Sequence, residues 1–524
     1  MDTRQYSPGE GIDRLLDYYQ YVMTIASVRI ADHSPAPLPV TPTFAVPELE
    51  DYRQALARAR AERGNVVAWI ETISTASPRR VIALTAALAN LLRIDGPWPE
   101  AAALHRAAAE TARRLGDQRG EASALCSLSE MQRLSGDHAG AAATARRALD
   151  LCRQSGDRRG EANALFQLGI LSYLTGDYQG AAAALRQALD HYQELGDTLS
   201  AANTFRNLGV ACHVTGDYPA ATAALQEALR LRERIGDGFG EAGDLNELGI
   251  VRHMTGDFPG AIADQQRALR LFRDAGYRPG EANTLHYLGN VLRSAGDYPG
   301  AAAALEQAQQ LHSALGGGQF TEAVALNQLG KVRLLIGDYQ GARAFFTESL
   351  RLYAAISAQA GEAEMYDFLG ILRCRTGDYS DAAADLDKSL RIYRDIGSRR
   401  GEANALKDLG ALWCLTGDYS EAVATLGQAL AIYNELGDLE GTAEALNQQG
   451  ALCEIRLDFA QAVACHLESL TLSRRIGSPW NEAHALVGLG RCALATGQTA
   501  EGTRRTEEAR QIFRRIGAAE AHTP

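Results

Sequence analysis

A Gly-Asp pair recurs every forty residues along this chain, at 136–137, 176–177, 216–217, 256–257 and 296–297. After one inserted residue it resumes at 337–338, 377–378 and 417–418, with degenerate copies at Leu457-Asp458 and Gly497-Gln498. A second mark, Gly-Glu-Ala, stands at 120–122, 160–162, 240–242, 280–282, 361–363 and 401–403. A period of this length means that the folding unit is a small supersecondary element with an open apolar face, which only stacked neighbours can close.

The unit from Gly160 to Leu199 specifies two helices. Asp157 is placed to cap the first, and Glu161 adds negative charge where the helix dipole favours it. Small and apolar residues at 162, 165, 168, 169 and 172 form one stripe at helical spacing. Gly176 supplies a left-handed residue to end that helix, and Asp177 caps the next. The second helix sets Ala181, Leu185, Ala188, Leu189 and Tyr192 on one face and stops at Gly196. Each helix is about 17 residues, or about 25 Å. Gly169, Ala181 and Ala188 leave room for close packing.

Leu168-Gly169, then Ala181, Leu185 and Ala188, resemble the tetratricopeptide consensus, in a unit longer than the usual length of about 34 residues. The resemblance implies an all-α fold, a right-handed superhelical solenoid of about ten to eleven helix pairs with a divergent helical N-terminal cap. Ten units fill 118–517, a degenerate first repeat covers 78–117 with Gly96-Pro97-Trp98 at its turn, and 518–524 is expected to be a disordered tail. The lattice breaks twice. Gly316-Gly317-Gly318 with its inserted residue replaces the Gly-Asp turn, which points to a flexible or differently pitched junction. Near 440–460, Gln449 and Leu457 stand where other units have Leu and Gly, so weaker packing is expected there.

Residues 1–77 do not repeat. A helix is expected over 12–31, a proline-rich linker over 34–47, and two shorter helices over 48–62 and 64–75. The segments RLLDYYQYVMTIASVRI (14–30) and ERGNVVAWIETI (62–73), with the linker between them, look like a known junction. It is the one between the nucleotide-switch module and the repeats in bacterial NB-ARC (STAND-class) regulators, which include the antibiotic-regulatory-protein-like activators. That resemblance implies a sensor or regulatory arm. It carries over no ATPase activity, because the chain has no phosphate-binding GxxxxGK[ST] loop; Gly330-Lys331 is followed by Val332. The alternative is a stand-alone adaptor scaffold, because the forty-residue unit also resembles that of the G-protein-signalling modulators.

Several function classes find no support. The net charge of −12 predicts no bulk attraction to nucleic acid or anionic lipid, and arginines alternate with acids along the second helices as on solvated faces. Only three lysines occur, Lys331, Lys388 and Lys407. Eight cysteines show no CxxC pair, which fits a reducing cytoplasm. No apolar run approaches the ~20 residues of a membrane span. No nucleophile constellation or metal-ligand cluster stands out, so neither an enzyme nor a cofactor is expected.

A protein or peptide partner is expected instead. In tetratricopeptide arrays the first helix of each pair lines the groove, and the resemblance places groove positions three, six, ten and thirteen residues into each Glu-Ala opening. Arg206, His213, His253, His286 and Arg293 fall there on the third to fifth repeats, with Asn203, Asn246, Asn283 and Asn290 beside them, and Asn327 follows in the next repeat. This set reads as a polar, partly cationic stretch for an extended peptide with acidic groups, its amides holding the backbone and its guanidinium groups the carboxylates. The exposed last helix, about 499–516, leaves room for a homodimer.

Overall fold

The computed structural model describes residues 8–30, 49 and 52–522. The proline-rich linker at 34–47 lies outside the described residues. Among these residues the chain forms 24 α-helices, one short 3-10 helix and no strand. The order opens with α1 (Pro8–Ile30), α2 (Tyr52–Thr72), α3 (Pro78–Asp95) and α4 (Trp98–Leu115). Helix pairs follow as α5 (Gln118–Leu134), α6 (His138–Ser155), α7 (Arg158–Leu174), α8 (Tyr178–Glu194), α9 (Thr198–Val214) and α10 (Tyr218–Ile235). Next come α11 (Gly238–Met254), α12 (Phe258–Ala275), α13 (Arg278–Ala295), α14 (Tyr298–Ala314), α15 (Gln319–Leu335) and α16 (Tyr339–Ala355). The array ends with α17 (Gln359–Thr376), α18 (Tyr379–Asp395), α19 (Arg399–Thr416), α20 (Tyr419–Leu436), α21 (Leu439–Ile455), α22 (Phe459–Ile476), α23 (Pro479–Ala495) and α24 (Thr499–Ile516).

Local chemistry explains the pairs. Asp157 Oδ1 accepts the Gly160 amide at 3.1 Å and Asp177 Oδ1 the Gly180 amide at 2.9 Å, each satisfying a donor that the first turn leaves free. Gly176 takes φ +84° between the two helices, which a side chain would strain. Within the pair, a Cβ on Gly169 would sit 2.7 Å from Leu185 Cγ, so the glycine is what lets α7 and α8 close. Tyr192, fully buried at the end of α8, donates its hydroxyl to Asn163 Oδ1 of α7 at 2.6 Å, and Tyr433 and Asn404 repeat this bond in a later unit.

The helices group into two compact units, Met1–Val251 and Arg252–Pro524, with the boundary inside α11. In the first, α1 packs on both α2 and α3. The two short helices expected at 48–62 and 64–75 are one helix, α2. Gly64 is accommodated mid-helix because Ala55, Ala59, Val66 and Ile70 form one buried stripe that continues across it. In the second unit, the end of the chain returns to the unit's opening repeats. Tyr298 of α14 lies 6.5 Å, ring to ring, from Trp480 of α23, and Ile516 of α24 fills the place a Cβ on Gly296 would take. Residues 519–522, expected to be part of a disordered tail, form a 3-10 helix. Ala518 before it is buried, and Glu520 Oε1 lies 3.4 Å from Arg375 Nη1.

At the glycine-rich junction, Gly316 takes φ +69° and Gly318 starts α15 with no side-chain cap. At the other break, Leu457 occupies the glycine position with φ +64° and is 73% exposed.

Candidate ligand wall on the first helices

Successive first helices touch one another within each unit, as α5 and α7 do, and α17 and α19. They therefore form a continuous wall. In the second unit Arg293 on α13 acts on Glu440 on α21, opposing the upward push that the surrounding protein gives that carboxyl.

The expected site residues divide between the units. In the first unit Asn203 is buried; its Oδ1 accepts from Arg232 and from Arg206 Nη2, the latter at 3.3 Å. Arg206 Nε lies 3.6 Å from Asp244 Oδ1, and Arg206 also faces the half-buried Glu247. Its charge is met from within the chain. His213 is half-buried, its pKa lowered by burial, with its ring 6.1 Å from that of Tyr218. Asn246 lies half-buried on α11.

In the second unit His253 Nε2 is 2.8 Å from Ser294 Oγ, and burial together with Arg293 lowers its pKa to about 4. His286 is lowered to about 4 by burial, His312 and Lys331, and its Nε2 meets Asn290 Nδ2 at 3.2 Å. Asn283 is exposed. Asn327 is buried and donates from Nδ2 to Glu364 Oε2 at 2.8 Å. Arg293 Nε is buried with no hydrogen-bond acceptor.

Burial lowers the pKa of the three histidines, and Arg206 faces carboxyls of its own unit. The richer cluster lies further along, on α15, α17, α19 and α21. Lys331 Nζ pairs with Glu364 Oε1 at 2.7 Å and stands 4.8 Å from the Phe368 ring centroid. Lys407 Nζ pairs with Glu444 Oε2 at 2.8 Å and Asp408 Oδ1 at 3.2 Å. Asp367, 4% exposed, lies against Asp408; burial pushes both carboxyls up, that of Asp367 far up, and each acts on the other. Burial opposes the Lys407 charge, but Asp408 and Glu444 outweigh it and raise its pKa, whereas burial dominates at Lys331 and lowers it. The sequence carried a signal for this: two of only three lysines, and three acids, fall on groove positions where other repeats carry Asn, His or apolar residues.

Among the described residues no three His, Cys, Asp or Glu side chains converge to hold a metal ion, and no helix is long and apolar enough to cross a membrane.

A stack of capped helix pairs with a first-helix wall defines an α-helical repeat scaffold. The tetratricopeptide repeat profile matches residues 81–154, 160–234, 199–274, 241–314, 280–355 and 361–435, more than half of the chain. The chain belongs to the tetratricopeptide repeat family. A comparison with curated proteins finds no match. Among solved structures, the apo form of the quorum sensor NprR from B. thuringiensis is similar over 64% of this chain and 96% of its own, with 14% identity and a TM-score of 0.52. The apo form of RapI is similar over 51% of this chain and 96% of its own, at 13% identity and a TM-score of 0.43. BtubC (BKLC) from P. vanneervenii is similar over 43% of this chain and 94% of its own, at 22% identity and a TM-score of 0.39. The likeness to NprR supports the solenoid fold.

Proposed function

We propose that this chain binds a peptide or protein along its first-helix wall and serves as the sensor arm of a STAND-like regulator. The observation that carries the binding reading is the wall of the second unit, where α15, α17, α19 and α21 bring Lys331, Lys407 and their carboxyl partners together in partly buried surroundings. Charges held out of bulk water interact strongly and selectively with what enters. The regulator role is supported by the resemblance of residues 14–30 and 62–73 to that family's junction, and it accords with the fold shared with NprR, a quorum sensor.

A photo-crosslinking residue at Asn283, exposed on α13, should capture a partner from native lysate; one at Arg351, exposed on the second helix α16, should not. Equal capture from both positions, or from Arg351 alone, would sink the wall as the binding surface. Nucleotide hydrolysis in the captured fraction would support the regulator role, and its absence from every captured partner would remove it.

A further inference from the structure

Residues 516–520 run along one edge of the second unit in step with its earlier repeats. Ile516 lies against Gly296, and a Cβ on Gly517 would sit 3.1 Å from Pro299 Cδ, both where α14 begins. Ala519 Cβ lies 3.0 Å from where a Cβ on Gly337 would be, in the turn between α15 and α16. Glu520 Oε1 lies 3.4 Å from Arg375 Nη1, near the end of α17. Five consecutive residues thus meet three successive repeats in chain order, and Ala518 among them is buried. The repeat that carries them reaches the same places: Trp480 of α23 packs on Tyr298, and Arg375 acts on His484 of α23.

The segment bridges the run of three glycines that interrupts the lattice. Its first contacts, Gly296 and Pro299, precede Gly316-Gly317-Gly318, and its last, Gly337 and Arg375, follow it. Gly318 gives α15 no side-chain cap, and nothing lies within 4 Å of where its Cβ would be. Glycine is the residue with the least restricted backbone, so this joint is soft by itself. What crosses it is made of turn edges, small side chains and an ion pair whose arginine is 46% exposed. Such contacts hold less than the helix faces within each repeat and are among the first to open.

We propose that residues 516–520 are a strap that splints the joint at Gly316–Gly318. Attached, the strap fixes the repeats on either side of the joint at one angle; released, it lets the wall of the second unit bend there. A partner that prefers one of these two arrangements of the wall shifts the strap towards it, and fixing or removing the strap changes that partner's affinity by the same factor. The device acts on the shape of the wall and does not depend on which class of partner the wall binds.

The test measures distances in the full chain between spin labels on bioorthogonal side chains, which leave the native cysteines untouched. Ala303 on α14 and Ala384 on α18 are exposed and span the joint; Ala384 and Ala424 on α20, also exposed, lie wholly beyond it. In the wild type the spanning pair is expected to give one narrow distance. Ala518→Asp with Glu520→Arg puts a charge where Ala518 is buried and a like charge opposite Arg375. This release variant should add a second population shifted by about 5 Å or more, while the control pair stays unchanged. Glu520→Gln should give a smaller fraction of the same population, and it keeps the test decisive if the double variant unfolds. Gly318→Asp supplies a cap to α15 and should reduce the shifted population by about twofold or more in either release variant. One unaltered distance distribution in both release variants would overturn the strap. A shifted population that Gly318→Asp leaves intact would overturn the joint, and an equal shift in the control pair would overturn both by showing that the whole unit has loosened.

Discussion

Arg232 Nε donates to Asp244 Oδ2 at 3.1 Å with the two side chains 2% and 0% exposed, so a complete ion pair lies inside the first unit. Asn203 and Asp237 also accept from Arg232, and Arg206 approaches the far oxygen of Asp244 at 3.6 Å. Removing one member of such a pair strands the other. Arg232→Met is expected to cost about 3 kcal/mol, at the low end for buried pairs because Arg206 remains. In Arg232→Met with Asp244→Asn, much of that loss should return. A double-mutant cycle in urea, followed through the unfolding of the first unit, measures the coupling. Additive losses would show that the pair is not what holds these helices together.

Two helix glycines make a matched pair. A Cβ on Gly169 would meet Leu185 Cγ at 2.7 Å and Cδ2 at 2.9 Å, whereas one on Gly427, within α20, would meet nothing within 4 Å. Gly169→Ala should destabilise by about 1–3 kcal/mol through overpacking. Gly427→Ala should stabilise by up to about 1 kcal/mol, because alanine costs less backbone entropy in a helix. Opposite shifts in thermal midpoint are the expected result; the same sign for both would mean that propensity alone governs these sites.

Leu457 takes φ +64° where the other units place glycine, and most of its side chain faces water. A left-handed conformation costs a non-glycine residue about 1–2 kcal/mol, and this side chain recovers little by burial. Leu457→Gly should therefore stabilise the second unit by about 0.5–1 kcal/mol and slow amide exchange over 440–460. A loss of stability would show that Leu457 packs against something that offsets the strain.

The periodic part of the fold was readable because each repeat restates the same local chemistry. Asp157, Gly176 and Asp177 do in three dimensions what their spacing implies, and the Leu168-Gly169 pair sits where a close helix crossing needs it. Helix α2 was misread because Gly64 looks like a break to local propensity, while the stripe that overrides it depends on packing against α1 and α3. The return of Ile516 to Gly296 was invisible for a related reason: it joins residues 220 positions apart and leaves no periodic trace. At the candidate site the repeat positions of the side chains can be counted along the sequence but their surroundings cannot: the burial that lowers His253 and His286, and the carboxyl of Asp244 beside Arg206, come from packing that no spacing records.

The same burial sets the response to acid. His105 on α4 is 1% exposed with no partner at Nε2, and burial lowers its pKa to about 4. His253 and His286 are also lowered to about 4, and His484 to about 3, by burial first and then by Arg375, Arg491 and His466. In the unfolded chain each ring takes up a proton near pH 6.5. Between that value and about 4 the unfolded state thus binds more protons than the folded one, and stability falls as pH falls through the window. Asp264 works the other way: burial raises it to about 6, so its contribution is lost as pH rises from its ordinary range towards that value. Other buried carboxyls, among them Asp244, Asp367 and Asp408, are raised as well and act in the same sense as Asp264, so the histidine contribution is read at a single ring. For the first unit, His105 alone should cost roughly 2 kcal/mol by pH 5. His105→Leu keeps the volume and removes the titrating ring, so thermal midpoints between pH 7 and 5 should fall less steeply in the variant. Parallel slopes for variant and wild type would mean that His105 is already protonated in the folded chain.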